Sequence, residues 1–97
     1  MKNLGLLATL KAKPGKEQEV ENFIKGAIDL ARHESKTITW YSFKQDSNTF
    51  GIFDTFENEE GREAHLSSEI AKALMGKADE LLSEEPSIKK IEILSSK

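Results

Sequence analysis

Large apolar side chains occur on both faces of every β-strand that this 97-residue sequence predicts. The strand segments combine leucine, β-branched and aromatic residues, and turn residues bound them. They are Asn3–Ala12, Thr37–Lys44, Thr49–Phe56 and Ser87–Leu94. Successive side chains of a strand point to opposite faces, so Leu6 opposes Leu7 on the first strand and Ile52 opposes Phe53 on the third. A sheet of such strands needs an apolar cover on each side.

Two regions between the strands have helical periodicity. From Lys16 the apolar residues recur every three or four positions as far as Ala31, which predicts one helix that ends near Arg32. After the third strand, Asn58 is a residue type that caps helix N-termini, and a short helical stretch is expected from there to about Leu66.

A further helical stretch completes the order of elements. Ser67 or Ser68 can cap it, its apolar residues run from Ile70 to Leu82, and Pro86 closes it. The order βαββαβ predicts an α+β fold, a ferredoxin-like sandwich whose four-stranded antiparallel sheet carries the helices on one face. We expect a single domain over residues 1–97, since no linker or repeat divides the chain.

The second face of this sheet would have no helix to cover it. Monomeric proteins rarely expose a large contiguous apolar patch. Burying such a face gains roughly 25 cal/mol per Å² of apolar area before the costs of association. We therefore predict a homodimer packed sheet to sheet, a dimeric α/β barrel. The alternative is a face with scattered apolar residues, which is common on protein surfaces.

Charge and composition exclude several classes of protein. The 14 basic and 17 acidic residues give a net charge of −3, so there is no positive excess for binding nucleic acid. The chain has no cysteine, which removes disulfides, thiolate metal sites and cysteine nucleophiles. The apolar run in Met1–Leu10 is too short to span a bilayer and lacks a signal-peptide cleavage site. We expect a cytoplasmic protein that binds no membrane.

Two histidines are candidates for acid–base chemistry near neutral pH. His33 lies between Arg32 and Glu34 at the expected end of the first helix, where a solvated imidazole is the favoured interpretation. His65 lies where one helical stretch gives way to the next, and modest burial would make it a usable base or hydrogen-bond donor. A structural histidine bonded to the backbone at that break is the other interpretation.

Aromatic residues concentrate in the second and third strands. Most belong to the core, but Trp40, Phe53 and Phe56 could line an apolar pocket for a flat ligand. Asp54 interrupts the third strand, and three explanations are open: an ion pair across a dimer, exposure at the sheet edge, or a place in a site. Two further polar residues could reach the same cavity. They are Asn3 and Arg62.

The sequence contains no motif that is typical of a nucleotide or metal site. No G-x-G-x-x-G or P-loop spacing occurs, so no nucleotide cradle is indicated. No cluster of His, Asp and Glu has the spacing of metal ligands. We therefore expect neither a metal nor a bound cofactor.

The chain resembles the antibiotic biosynthesis monooxygenase family of dimeric α/β-barrel proteins over nearly its whole length. The matching segments are Leu10–Glu17, the aromatic hairpin, and residues 56–68, with an aromatic, a short acidic turn, Ala-His and then Ser. The resemblance implies a ferredoxin-like fold, sheet-to-sheet dimers and often cofactor-free oxygenation of electron-rich polycyclic phenols or quinols. In such chemistry the deprotonated substrate itself reduces O2, so the protein supplies an apolar pocket, a base or donor, and exclusion of water.

His65 matches the family histidine, and the resemblance makes it the expected catalytic residue. The family often has Glu where Asp54 stands and Trp where Phe56 stands. The haem-degrading relatives have other residues at Ala8 and Met75, which argues against haem. The resemblance thus implies a cofactor-independent monooxygenase in which His65 binds or deprotonates a small aromatic substrate. The alternative is a non-catalytic dimer that binds a small apolar molecule, as in a stress response.

Overall fold

The computed structural model describes residues 3–97 and has the α+β ferredoxin-like fold that the sequence predicts: a four-stranded antiparallel sheet with helices on one face. The strands are β1 Leu4–Lys11, β2 Thr37–Lys44, β3 Thr49–Phe56 and β4 Ser87–Glu92, in the sheet order β2-β3-β1-β4. The helices are α1 Glu17–Gly26, α2 Ile28–Ala31, α3 Glu59–Leu66 and α4 Glu69–Leu81. Met1 and Lys2, which the predicted domain and the N-terminal run include, lie outside the described residues.

The first helical region differs from the single helix expected as far as Arg32. It is divided at Ala27 into α1 and the one-turn helix α2. Ala27 keeps a right-handed helical backbone, with φ −64° and ψ −15°, and its N–H donates to the carbonyl of Phe23 at 3.1 Å. Gly26, the last residue of α1, has a weak helix propensity, which is consistent with a break at this point.

The helix caps after β3 follow the sequence closely. Asn58 Oδ1 accepts from the N–H of Gly61 at 2.8 Å and starts α3. Ser68, rather than Ser67, caps α4 by accepting from the N–H of Ala71 at 3.4 Å. These caps fix where α3 and α4 begin, and His65 lies in the last turn of α3.

The core lies between the helices and one face of the sheet. On that face β1 and β3 pair in register, with Leu10 opposite Phe50 and Ala8 opposite Ile52. Residues of α1 and α4 cover these strands, among them Val20 and Leu74. No helix of the described residues is both long enough and apolar enough to cross a membrane.

The opposite face of the sheet is apolar and partly exposed. Phe53 lies at its middle, paired in register with Leu7 of β1 and Tyr41 of β2. Tyr41 is 59% exposed and Phe43 is 37% exposed. The Phe43 ring lies across Gly51, where a Cβ would come within 2.3 Å of it, so only glycine fits beneath that ring. We call this surface the open face; the sheet-to-sheet dimer predicted for it stays a prediction.

Candidate functional site

The His65 ring lies between two carboxylates at the end of α3. Its Nδ1 is 2.6 Å from Glu34 Oε1, and its Nε2 is 2.8 Å from Asp54 Oδ2. All three side chains are largely buried: Asp54 is 1% exposed, His65 11% and Glu34 18%. We call these three residues the acid–histidine cluster.

Each member of the cluster comes from a different element. Asp54 lies within β3 on the helix-covered face, in register with Leu6 of β1 and Trp40 of β2. Glu34 lies in the loop before β2, and α3 supplies His65. The Phe56 ring packs against the imidazole, with centroids 5.2 Å apart and planes at 44°. The imidazole is therefore fixed by two polar contacts and one aromatic contact.

The two carboxylates contact the ring in different ways. Glu34 Oε1 accepts a hydrogen bond from Nδ1 and a second one from the Thr37 hydroxyl at 2.6 Å. Asp54 Oδ2 forms a close ion pair with Nε2, but it has no well-aligned hydrogen-bond partner among residues 3–97. Glu34 thus holds the ring, whereas a buried oxygen of Asp54 keeps capacity to accept a proton.

The pKa values of the cluster assign its charges. Burial alone would lower the pKa of His65, but its contacts with Asp54 and Glu34 outweigh burial and raise the pKa to about 9. Burial raises the pKa of Asp54 above its usual 3.8. Burial would also raise the pKa of Glu34, but hydrogen bonds from His65 and Thr37 hold it below 4.5. At neutral pH, His65 is therefore an imidazolium held between Glu34 and Asp54.

We expect stability to fall as the pH rises from about 6.5 through 9. The folded pKa of His65 is raised from 6.5 to about 9, so the stabilisation from its protonated form is complete below 6.5 and is lost as that pKa is passed. At about 1.4 kcal/mol per pKa unit, the loss is on the order of 3 kcal/mol. Urea unfolding at intervals across this range measures it. The change should survive in His33→Ala and disappear in His65→Gln; the same decline in His65→Gln would contradict the assignment.

An apolar cavity adjoins the cluster between the sheet and the helices. Its polar residues are Asp54 and His65, and its apolar walls come from β1, β3, β4 and the α3–α4 region. The apolar lining residues are Leu6, Ala8, Ile52, Leu66, Ile70, Ala71, Leu74 and Ile88. Its volume is about 40 Å³. A single water needs roughly 10–15 Å³, so the cavity has room for a small molecule such as water or O2.

A second, open pocket lies on the other side of His65. It has a volume of about 330 Å³, and its lining includes Glu34, Lys36, Thr37 and Ala64. Lys36 pairs with Glu60 near this pocket. The imidazole therefore lies between two pockets. Asp54 lines the apolar cavity on one side of it, and Glu34 lines the open polar pocket on the other side.

The structure brings together some of the residues that the sequence suggested for a site. His65, Asp54 and Phe56 are in contact, and Trp40 lies beside Asp54 across the β2–β3 pairing. The buried indole Nε1 of Trp40 has no hydrogen-bond partner among the described residues. Of the predicted pocket residues, only Asp54 and His65 line the apolar cavity.

The other nominated residues lie apart from His65. Phe53 is on the open face. Asn3 is exposed, and its carbonyl accepts from the N–H of Ile93 at 2.8 Å. Arg62 is buried and directs its guanidinium to Glu59 and to the carbonyl of Gly5 at 3.4 Å. The roles suggested for these three residues stay predictions.

Two sequence expectations change with the structure. Exposure of Asp54 at a sheet edge is wrong, because it is buried in an inner strand, and its ion pair is with His65 of the same chain. Sequence reasoning missed Glu34, which it treated only as a neighbour of His33. His33 is exposed, and its Nδ1–H donates to the carbonyl of Asp29 at 2.7 Å, as expected at a helix end.

Metal binding has no support in the geometry of the described chain. Within residues 3–97, no three His, Asp or Glu side chains are grouped so that they could hold a metal ion. In the cluster, the two carboxylates lie on opposite nitrogens of one ring, so they do not converge on a common point.

The α+β fold is shared with solved proteins described as antibiotic biosynthesis monooxygenases. A Caulobacter crescentus CB15 protein, described as a proposed antibiotic biosynthesis monooxygenase, is 16% identical over 97% of this chain and 92% of that chain, with a TM-score of 0.79. Another solved antibiotic biosynthesis monooxygenase is 15% identical over 95% of this chain and 99% of that chain, also with a TM-score of 0.79. At these identities the likeness is one of fold.

A much closer likeness identifies the family. The NE2512 protein of unknown function from Nitrosomonas europaea is 46% identical, with 100% of this chain and 94% of that chain covered, and the TM-score is 0.97. The chain belongs to the same family as that protein. No family model and no curated protein sequence matches it.

Proposed function

We propose that this protein is a cofactor-independent monooxygenase that oxidises a quinol or polycyclic phenolic small molecule with O2. The observation that carries the proposal is the acid–histidine cluster at the wall of an otherwise apolar cavity. Buried titratable groups with shifted pKa values are costly to stability and concentrate at functional sites. The likeness of fold to proteins described as monooxygenases supports the same class of reaction.

The proposed reaction needs no external reductant. A phenol whose tautomer carries a CH2 group beside the ring, as an anthrone does, loses one proton and becomes an electron-rich anion. The anion passes one electron to O2, and the radical pair joins to form a C–O bond. The peroxide is protonated, the O–O bond breaks, and water leaves with the second proton of the carbon. Four electrons from the substrate thus reduce O2 to one carbonyl oxygen and one water.

The chain's own groups match the demands of these steps. Proton removal requires a group within hydrogen-bond reach of the substrate, and Asp54 and His65 supply such groups in the cavity. The cationic His65 stabilises negative charge on a substrate or peroxide oxygen. The apolar walls limit water, which would otherwise protonate the anion.

The cavity volume favours one alternative function. About 40 Å³ does not hold a polycyclic ring system, so such a substrate requires the α3–α4 region to move or must project through the mouth. A protein that only binds a small apolar molecule, without oxygenating it, does not require this movement or projection. Oxygen consumption separates the two functions.

We expect oxygen uptake with at least one member of a panel of anthrones and hydroquinones. An oxygen electrode measures the rate, and isotopically labelled O2 checks that one oxygen atom enters the product. His65→Gln should lower the rate by roughly a hundredfold or more, as loss of a group that stabilises developing negative charge typically does. His33→Ala is the matched control and should keep the wild-type rate. Binding of the panel without any oxygen uptake would instead support the binding protein.

A homodimer through the open face is part of the proposal. The support is the apolar surface around Phe53, which continues through Leu7 and Tyr41 on the neighbouring strands. Tyr41 and Phe43 remain exposed on it. Such a surface is typical of an interface with another protein.

A further inference from the structure

The cluster contains three titratable groups, and their geometry indicates a different role for each. We infer that the buried carboxylate of Asp54, and not His65, is the base that removes the substrate's proton, and that Glu34 is a positioning residue that holds His65 as a hydrogen-bond donor. The inference rests on the proposed function for the identity of the substrate. It departs from the expectation that His65 itself is the base.

His65 has no free nitrogen with which to accept a proton. Both of its ring nitrogens face carboxylate oxygens, Glu34 at 2.6 Å and Asp54 at 2.8 Å. Carboxylates accept hydrogen bonds, so both nitrogens carry hydrogens. The Phe56 ring and the hydrogen bond to Glu34 hold the imidazole in this orientation. The ring therefore donates to its surroundings and stabilises negative charge.

Asp54 has the properties of a base in this cavity. It is 1% exposed and lines the cavity beside apolar residues, among them Ile52 and Leu74. Its buried Oδ2 has no well-aligned hydrogen bond among the described residues, so a lone pair remains available. Burial also raises the proton affinity of the carboxylate above that of an exposed aspartate. A substrate whose acidic group reaches into the cavity can thus give its proton to Asp54 Oδ2.

Glu34 does not reach the cavity and acts through the ring. It lines the open pocket on the far side of His65, where the Thr37 hydroxyl also binds its carboxylate. The titratable and charged groups around the ring are Asp54 from β3, Glu34 from the loop before β2 and, at the open pocket, His33 and the Lys36–Glu60 pair. Of these, Glu34 is the group that fixes Nδ1–H and leaves Nε2–H directed toward Asp54.

The proton and electron balance of the proposed reaction is kept. The substrate proton moves to Asp54, and the substrate anion, next to the imidazolium, transfers its electron to O2. Once the C–O bond has formed, Asp54 returns the proton to the peroxide oxygen. Asp54 and His65 therefore end the cycle in the states in which they began it.

The first test needs no substrate. Nitrogen-15 NMR of His33→Ala protein, in which His65 is the remaining histidine, reports the protonation of both ring nitrogens. At pH 7 we expect an imidazolium; a neutral ring with one bare nitrogen would overturn the inference, whether or not the protein consumes oxygen. Glu34→Gln should move the titration of His65 to lower pH, and an unchanged titration would overturn the role of Glu34.

The second test reads the ionisation of a bound substrate analogue. A naphthol that the protein binds without oxygenating it reports its ionisation by absorbance under nitrogen. In wild-type protein we expect the naphtholate, and in Asp54→Asn the neutral naphthol, with at least a tenfold fall in the ionised fraction. If His65 were the base, Asp54→Asn would free its Nε2 and the naphtholate would persist, which would overturn the inference.

Two further variants control for a loss of naphtholate that is caused by misfolding. Asp54→Glu retains the carboxylate and should retain the bound naphtholate, while the exposed Asp29→Asn is a control that should match the wild type. Loss of the naphtholate in Asp29→Asn would also overturn the inference. Oxygen uptake by wild-type protein together with persistent naphtholate in Asp54→Asn would leave the proposed function standing and remove only the role of Asp54.

Discussion

His65→Ala is expected to lower the free energy of unfolding by about 3–5 kcal/mol, measured by urea denaturation at pH 7. Removing one partner of a buried ion pair leaves the other charge uncompensated, and losses of roughly this size are typical. Here the stranded charge is Asp54, which is 1% exposed, and Glu34 also loses a hydrogen bond. A domain of this size has only about 5–15 kcal/mol of stability in all, so the effect is a large part of the total.

The origin of this loss can be checked within the same chain. Asp54→Asn, added to His65→Ala, removes the stranded charge and should restore part of the lost stability. His33→Ala removes an exposed histidine and should change the stability by no more than about 0.5 kcal/mol. A loss below about 1 kcal/mol for His65→Ala would contradict the charge states assigned to the cluster.

Phe53→Lys is expected to convert the proposed dimer into monomers at micromolar concentration. Phe53 lies between Leu7 and Tyr41 at the middle of the open face, so the substitution would bury an unpaired charge on both sides of a symmetric interface. A cost of about 3 kcal/mol or more corresponds to an increase of at least roughly a hundredfold in the dissociation constant. Sedimentation velocity over a range of concentrations measures it.

A matched variant tests whether the effect belongs to the open face. Met75→Lys places the same charge on α4, where Met75 is 56% exposed on the helical layer, and should leave the association unchanged. The predicted sheet-to-sheet dimer would be contradicted if the wild-type protein sediments as a monomer. It would also be contradicted if both variants dissociate to the same extent.

The strands were predictable from the sequence because their signals are local. Thr37–Lys44 and Thr49–Phe56 have the predicted bounds, since dense aromatic and β-branched residues are flanked by turn residues. The division of the first helix at Ala27 was not predicted, because its apolar periodicity continues through the break. Periodicity reports which face is buried and not whether the helix is continuous.

The site was predictable only in part, because its contacts join distant segments. His65 stood out as one of two histidines, but Glu34, 31 residues earlier, resembles any solvated acid at a helix end. Alternation along β3 already placed Phe53 and Phe56 on opposite faces. In the described chain Phe53 lies on the open face and Phe56 packs against His65, so a pocket wall shared by both stays a prediction.

The three-element origin of the acid–histidine cluster has a consequence for how the proposed activity would be lost. Strand β3, helix α3 and the loop before β2 must all be docked before the imidazole has both neighbours. Local opening of any one of them separates the charges while most of the sheet remains paired. Loss of the proposed oxygen uptake on mild heating or in mild denaturant should thus precede melting of the strands.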